Sequence, residues 1–371
     1  MEIKFYNIGE IYHHQLQFAV ICAAYKGKWI FVRHKDRETW EIPGGHREEN
    51  EDINSAASRE LFEETGATGY ELEPICDYSV TRGDTTSFGR LYYAKVTEIG
   101  PLPESEICEI KLCKEMPDSL TYAGIQPYLQ QKVLEYLCTR ALKLLEEDRP
   151  RNINMINFMK NYPVFTLDII EDTVLIRGRS DEDWVYISSQ SRDEFQKLIL
   201  GLDAEDRCFA VLEDWMLSDI IKDREIRSKL SSMKLIYEGT SALPPVRFAA
   251  VSLSDTDAAY IYERSKYKEY TSIAYIADRI KNGTGLGIFE KGMPVAWAIT
   301  HDDGAIGFLN VLEEYRGKGY GHDVTVAMVS RLLREGEVPF VHIEEENKKS
   351  MNLAMKVGFK QDRRTHWIKL T

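Results

Sequence analysis

Three glutamates, Glu60, Glu63 and Glu64, stand at i, i+3 and i+4 in a segment that reads as a short helix. On a helix that spacing gathers them within roughly a third of the circumference. Like charges so placed repel, and each pair costs an isolated helix some tenths of a kcal/mol. A hard cation such as Mg²⁺ relieves the repulsion, because it takes carboxylate and phosphate oxygens together. Pro43-Gly44-Gly45 forms a tight, bare loop ahead of the helix, from which the Gly45 carbonyl could reach the same ion. Arg59 can pair with Glu51 and brace the cluster. Ser55, Ala56 and Ala57 are small enough for close packing, Leu61 anchors the helix on a sheet, and Gly66 ends it at C′.

Written out, the run is Gly45-x5-Glu51-x7-Arg59-Glu60-Leu61-x-Glu63-Glu64-x-Gly66-Ala67. It resembles the box of the Nudix hydrolase family at every fixed position. That resemblance implies an α/β/α sandwich carrying the box as loop-helix-loop. It also implies Mg²⁺- or Mn²⁺-dependent hydrolysis of a nucleotide-type phosphoanhydride, with Gly45, Glu60, Glu63 and Glu64 at the metal. The acidic segment 104–109 falls where many members place a loop glutamate, so Glu106 joins the catalytic candidates and Glu109 stands beside it. The stretch Val32-Arg33-His34-Lys35-Asp36-Arg37 with Trp40-Glu41-Ile42-Pro43 is most similar to MutT-like triphosphate pyrophosphohydrolases, including those acting on oxidised guanine nucleotides. Arg33, His34 and Lys35 either meet phosphates or are surface charges beside a strand.

The chain has 371 residues, 43% of them apolar, and a net charge of −13. That length suggests two or three domains. The acidic balance disfavours nucleic acid or an anionic membrane as partner. Six scattered cysteines without a CxxC pair indicate free thiols in a reducing compartment, hence a cytoplasmic protein. No run of 18 apolar residues is present, which argues against membrane insertion.

The positioning elements follow from the pattern. In a first domain, residues 1–147, strands are expected at Gln17–Ala24 and Lys28–Arg33 around a Lys26-Gly27 turn, then at Tyr70–Tyr78 and Gly89–Val96. An apolar stripe of Tyr128, Val133, Leu134, Leu137, Leu142 and Leu145 predicts one long or two short helices over 122–147. The charged, proline-containing run 146–152 marks a boundary.

The last domain, residues 244–371, carries a second signature. Strand Phe248–Leu253, helices Asp257–Tyr267 and Ser272–Lys281, and strands Gly285–Phe289, Val295–His301 and Ala305–Leu312 lead into Arg316-Gly317-Lys318-Gly319-Tyr320-Gly321. A helix at His322–Glu335, a strand at Phe340–Glu344, a helix at Lys349–Val357 and a strand at His366–Leu370 follow. A glycine-rich, cationic turn entering a helix can present backbone N–H groups to a pyrophosphate. This block resembles the GNAT N-acyltransferase superfamily, through Arg316, Gly319 and Gly321 in the loop, Val311 before it, Asn347, and Val357-Gly358-Phe359. The resemblance implies a GNAT mixed-sheet fold with acetyl-CoA or another acyl-CoA as donor and a small amine or amino acid as acceptor. The cofactor contacts would come from Val311, Arg316, Gly317, Lys318, Gly319, Tyr320, Gly321 and Asn347. It departs from the family at Ala354, where many members place a general-acid tyrosine. Tyr320, His342 and Glu344 to Glu346 are the available substitutes.

Residues 152–243 also alternate strands and helices, with a hairpin at Val164–Ile170 and Thr173–Ile176. They read either as a degenerate first half of a tandem GNAT, similar to glycine N-acyltransferase-like members, or as an α/β spacer. The expectation is an α/β (α+β) bifunctional enzyme. Its alternative is a hydrolase regulated by a non-catalytic acyl-CoA-binding module.

Overall fold

The computed structural model describes residues 1–371 except 223, 240–241, 266–267 and 269–270. In chain order the elements are β1 Glu2–Tyr6, β2 Leu16–Tyr25, β3 Lys28–His34, β4 Gly44–His46, α1 Ile53–Thr65, β5 Ala67–Arg82, β6 Thr85–Ile99, β7 Ile107–Cys113, α2 Gln126–Glu146 and α3 Arg149–Asn161. Then come β8 Val164–Ile170, β9 Thr173–Arg179, β10 Asp183–Ser188, α4 Arg192–Ile199, β11 Cys208–Glu213, α5 Asp214–Ile220, β12 Ile226–Tyr237 and β13 Val251–Ser252. The chain ends with α6 Ala258–Glu263, α7 Ile273–Asn282, β14 Gly285–Glu290, β15 Met293–Thr300, β16 Ile306–Val311, α8 Tyr320–Arg334, β17 Phe340–Ile343, α9 Lys348–Val357 and β18 Phe359–Leu370. The helix expected over 257–267 is shorter, because a 3-10 turn at Asp255–Asp257 precedes α6. Lys266 and Tyr267 lie outside the described residues.

The chain divides into two compact units. The first comprises Met1–Lys143, Val164–Arg177 and Ser189–Glu205. Its main sheet runs β1-β5-β6-β2-β3-β7, with β4 paired to β2. The β2–β3 hairpin turns through Lys26 and Gly27, both at positive φ (47° and 69°), the conformation that tight hairpins favour. Helix α1 lies on β2 by burying Ile53, Ala56, Ala57 and Leu61 against Leu16, Ala19, Ile21 and Tyr92. Ser55 faces solvent. Asp52 caps α1 by accepting from Asn54 N at 2.8 Å, and Gly66, at φ 71°, closes it. Along α2 the buried stripe is Leu129, Val133, Leu137, Ala141 and Leu145, while Tyr128 is exposed.

The second unit comprises Leu144–Pro163, Gly178–Ser188 and Asp206–Thr371. Its strands run β13-β14-β15-β16-β17-β12-β18-β11-β10. Strand β12 therefore lies between β17 and β18, and the last strand of the chain lies between β12 and β11. Two parallel pairs in this sheet part quickly. β16 and β17 share the single register pair Ile306–Val341. β10 and β11 share Trp184–Cys208, Val185–Phe209 and Tyr186–Ala210. Helix α8 covers the sheet by burying Val324, Met328 and Val329. The run expected as a linker over 146–152 is mostly helical, with Asp148 as N-cap of α3 and Pro150 in its first turn. Among the described residues, no helix is long and apolar enough to cross a membrane.

Candidate active site

Strand β4, where Gly44 and Gly45 pair with Val20 and Ala19 of β2 instead of forming the expected bare loop, and the C-terminal half of α1 build one acidic site in the first unit. Gly44 must be glycine. Its φ is 153°, and a Cβ there would stand 2.3 Å from the Ala19 carbonyl oxygen. Its N–H donates to Glu64 Oε2 at 2.7 Å. A Cβ on Gly45 would meet the Glu60 carboxylate at 2.3–2.6 Å. The missing side chain at Gly45 in β4 thus gives Glu60 its place.

Arg59 organises the remaining acids. Its Nε and Nη2 donate to the two Glu51 oxygens at 2.9 and 3.0 Å. Its Nη1 donates to Glu60 Oε1 at 2.8 Å and to Glu63 Oε2 at 3.1 Å. Nη2 also reaches the His46 carbonyl at 3.0 Å, tying helix to loop. The pairing with Glu51, anticipated from sequence, is therefore present and bidentate.

The electrostatics favour an added cation. Burial raises the Glu60 carboxyl above its ordinary value despite Arg59. Burial pushes Glu64 up to about 8, with the Gly44 N–H opposing and the charges of Glu60, Glu41 and Glu106 adding to the rise. Among the described residues no group of three or more His, Cys, Asp and Glu side chains is closed around a metal position; Arg59 engages Glu60 and Glu63. The donors nonetheless fit a hard divalent ion: they are carboxylate oxygens, desolvated and short of positive charge. Gly45→Ala should leave the fold intact and displace the Glu60 carboxylate. A crystal structure with an unmoved Glu60, or unaltered Mn²⁺ affinity by titration calorimetry, would count against this geometry.

The loop candidates separate. Glu106 is exposed, with Oε2 3.9 Å from His34 Nε2, and its charge is felt at both Glu60 and Glu64. Glu109 is engaged by Arg33 at 2.6 Å, so both that acid and that cation are committed to each other. Glu41 was missed from sequence. It accepts from Arg37 and adds to the field on Glu64. Its signal was a lone acid between Trp40 and Ile42.

In the second unit the glycine-rich turn lies where β16 leaves β17. Arg316 Nε donates to the Val311 carbonyl at 3.0 Å. Gly317 and Gly319 have φ of 74° and 101°, and a Cβ on either would meet nothing within 4 Å. Gly319 is the N-cap of α8, and no side chain caps that helix. Gly321 abuts β16, where a Cβ would sit 3.3 Å from Val311 Cγ2. The turn, Val311 and the start of α8 are thus brought together. Lys318 lies over the Tyr315 ring. Tyr320 stacks on Phe248 and its hydroxyl donates to Glu290 at 3.0 Å. Asn347 caps α9 by accepting from Ser350 N at 3.1 Å. Ala354 is packed in the core at 4% exposure. His342 is partly buried and held well below its ordinary pKa by desolvation and then by Lys234 and His301.

A family model described as NUDIX domain matches residues 13–118, the span that contains the whole acidic site. The chain carries a NUDIX domain. A second model, described as FR47-like protein, matches residues 285–368 and makes the C-terminal part GNAT-like. The NUDIX domain is similar to YtkD of Bacillus subtilis, provisionally assigned as an 8-oxo-dGTP diphosphatase, at 33% identity over 105 residues. That match covers 28% of this chain and 64% of YtkD, so the chain spans under two thirds of its relative's length. Among solved structures, a Drosophila protein from a structural genomics consortium aligns with a TM-score of 0.54 at 17% identity, covering 63% of this chain and 95% of that one. A GCN5-related N-acetyltransferase-like protein of Streptococcus suis aligns with a TM-score of 0.39 at 13% identity, covering 63% and 99%. At 17% identity, the Drosophila likeness shows the fold alone.

Proposed function

We propose that the NUDIX domain is a Mg²⁺- or Mn²⁺-dependent pyrophosphohydrolase of a nucleoside di- or triphosphate derivative. We further propose that the GNAT-like part, residues 244–371, transfers an acetyl group from acetyl-CoA to a small amine or amino acid. The observation that carries the hydrolase reading is the gathering of buried Glu64 and part-buried Glu60, with Arg59 and Glu63, against the bare Gly44-Gly45 backbone of β4. The resemblance to YtkD favours a triphosphate, including one with an oxidised guanine.

Glu60, Glu63, Glu64 and the Gly45 carbonyl would hold the ion, which when bound neutralises phosphate oxygens and acidifies water. Arg59 orients Glu60 and Glu63 and links them to Glu51. The Gly44 N–H fixes Glu64 Oε2 and leaves Oε1 to exchange a proton. Glu106 is the second group able to take the proton of the attacking water. Backbone N–H groups of residues 317–321 at the start of α8, with Arg316 and Lys318, would receive the CoA pyrophosphate. Val311 and Asn347 would complete the donor site. The amine would then attack directly, driven by proximity.

The second reading, a non-catalytic acyl-CoA-binding module, is favoured by one observation. The core position of Ala354 carries no hydroxyl to protonate a leaving thiolate. We place both activities in the cytoplasm, on the strength of six free thiols. The test is phosphate and pyrophosphate release with Mg²⁺ or Mn²⁺ across normal and oxidised nucleoside triphosphates, ADP-ribose, dinucleoside polyphosphates, nucleotide sugars and CoA. One preferred triphosphate is expected. Silence across the panel would overturn the hydrolase reading. Acetyl transfer to any amine of a small library would exclude the sensor reading, whereas CoA binding without turnover would support it.

A further inference from the structure

A serine, a histidine and an acid that belong to neither site stand in a hydrogen-bonded line in the second unit. Strands β12 and β18 pair without a register shift from Ser228–Lys369 to Met233–Arg364, which sets Ser231 directly opposite His366. Opposed residues of an antiparallel pair share one face of the sheet. Their neighbours Ser232 and Thr365 turn to the other face, where both meet His342. Asp214 opens α5, which buried Met216 and Ile220 anchor.

Ser231 Oγ lies 2.8 Å from His366 Nδ1. His366 Nε2 lies 2.8 Å from Asp214 Oδ1. A carboxylate only accepts, so Nε2 carries the ring proton. Nδ1 is then a bare acceptor, and the Ser231 hydroxyl donates to it. The partners on both sides thus fix the tautomer. Burial holds the His366 imidazole below its ordinary pKa, with Asp214 opposing and the charges of Lys229 and Arg364 adding to the fall. The ring is therefore uncharged at neutral pH, the state a general base requires.

Exposure differs along the line. His366 is 1% exposed, whereas Ser231 is part-exposed. Strand β17 pairs with β12 only over Met233–Ile236, so among the described residues no strand flanks Ser231 on that side. A shielded base behind a reachable hydroxyl, with an acid orienting the base, is the arrangement that activates a serine.

We propose that Ser231 is a nucleophile, activated by His366 and Asp214, that accepts the acyl group of a small ester or thioester. Oγ attacks the acyl carbon while His366 Nδ1 takes the hydroxyl proton. The Oγ–acyl bond forms, the bond to the leaving alkoxide or thiolate breaks, and Nδ1 returns its proton to that leaving group. Water, deprotonated by the same nitrogen, then releases the carboxylic acid and restores the serine. Asp214 holds the ring and offsets the imidazolium charge between these steps. The two ring nitrogens exchange the roles they have in chymotrypsin-type triads, and the proton path is the same. The inference stands whether or not either activity proposed above holds.

The test is labelling of the full chain at neutral pH with a fluorophosphonate probe and with p-nitrophenyl acetate, the modified residue being located by peptide mass spectrometry. Modification is expected at Ser231 and not at Ser228, which is also part-exposed on the same strand. Ser231→Ala should remove the label. His366→Gln should slow labelling by about a hundredfold or more, the scale of general-base catalysis. Asp214→Asn should slow it by about tenfold or more, because an amide can donate to Nε2 and reverse the tautomer. Should the buried His366→Gln fail to fold, the exposed Asp214→Asn still decides. No modification at Ser231, or equal rates there in wild type and Asp214→Asn, would show a hydrogen-bonded tie between α5 and the sheet and no nucleophile.

Discussion

Glu64→Gln should lower metal-dependent hydrolysis on the order of a thousandfold, the scale for removing a preorganised charged group, and should raise the melting temperature of the metal-free protein at pH 8. The two effects share one cause. Glu64 is 7% exposed, and burial raises its carboxyl from 4.5 to about 8. A group whose pKa rises on folding contributes stability that is fully present below 4.5 and lost as pH climbs through about 8. Ionising it in the folded state costs a few kcal/mol, at about 1.4 kcal/mol for each tenfold rise in proton affinity. Glutamine keeps an oxygen for the Gly44 N–H and carries no charge to desolvate. Mg²⁺ should stabilise the wild type and leave Glu64→Gln unmoved. Glu63→Gln, at a half-exposed position, should lose hydrolysis with little change in melting temperature. Full hydrolysis in both variants, or an unchanged melting temperature for Glu64→Gln in EDTA at pH 8, would sink the assignment.

Gly319→Val should weaken acetyl-CoA binding by tenfold or more, equivalent to about 1.4 kcal/mol, and leave nucleotide hydrolysis unchanged. Residue 319 sits at φ 101°, a region closed to β-branched residues at a cost of roughly 1–2 kcal/mol. The turn must rearrange, and the amides entering α8 lose their common direction. No atom would clash with the new Cβ, so the loss reports backbone conformation rather than crowding. Gly321→Val acts differently, because its Cβ presses on Val311 and narrows the split itself. Fluorescence competition with a CoA analogue measures both. Equal affinity in wild type and both variants would remove the turn from the donor site.

The acidic helix was legible because its requirements are local: a three-four spacing, a small-residue face and a terminal glycine all lie within one segment. The same holds for the Gly317-Lys318-Gly319 turn. Other features depended on what lies elsewhere in the fold. Helix α3 was missed because Asn152, Asn154 and Asn157 break its apolar period, yet residues 152–158 are all buried. Asn152 and Asn154 find their partners in Ser188, Asp303 and His342, far away in sequence. The acidic segment 104–109 was read as a loop, yet its last three residues open β7, an edge strand, where charge is common. Glu41 needed the partners Arg37 and Glu64 before it had meaning. The strand order β17-β12-β18-β11 has no local signal at all, since register between distant strands is decided by which faces are buried.

That interleaved order has a consequence for synthesis on the ribosome. Strands β10, β11 and β12 emerge well before residue 359, yet β11 and β12 both pair with β18. Until Phe359–Leu370 clear the exit tunnel, facing edges of both strands lack their partner. Unpaired edges invite pairing with other nascent chains. The second unit therefore closes only once β18 has emerged. A stop codon just before β18 releases a chain with two open edges, and the polysome carries the aggregation risk of the whole sheet.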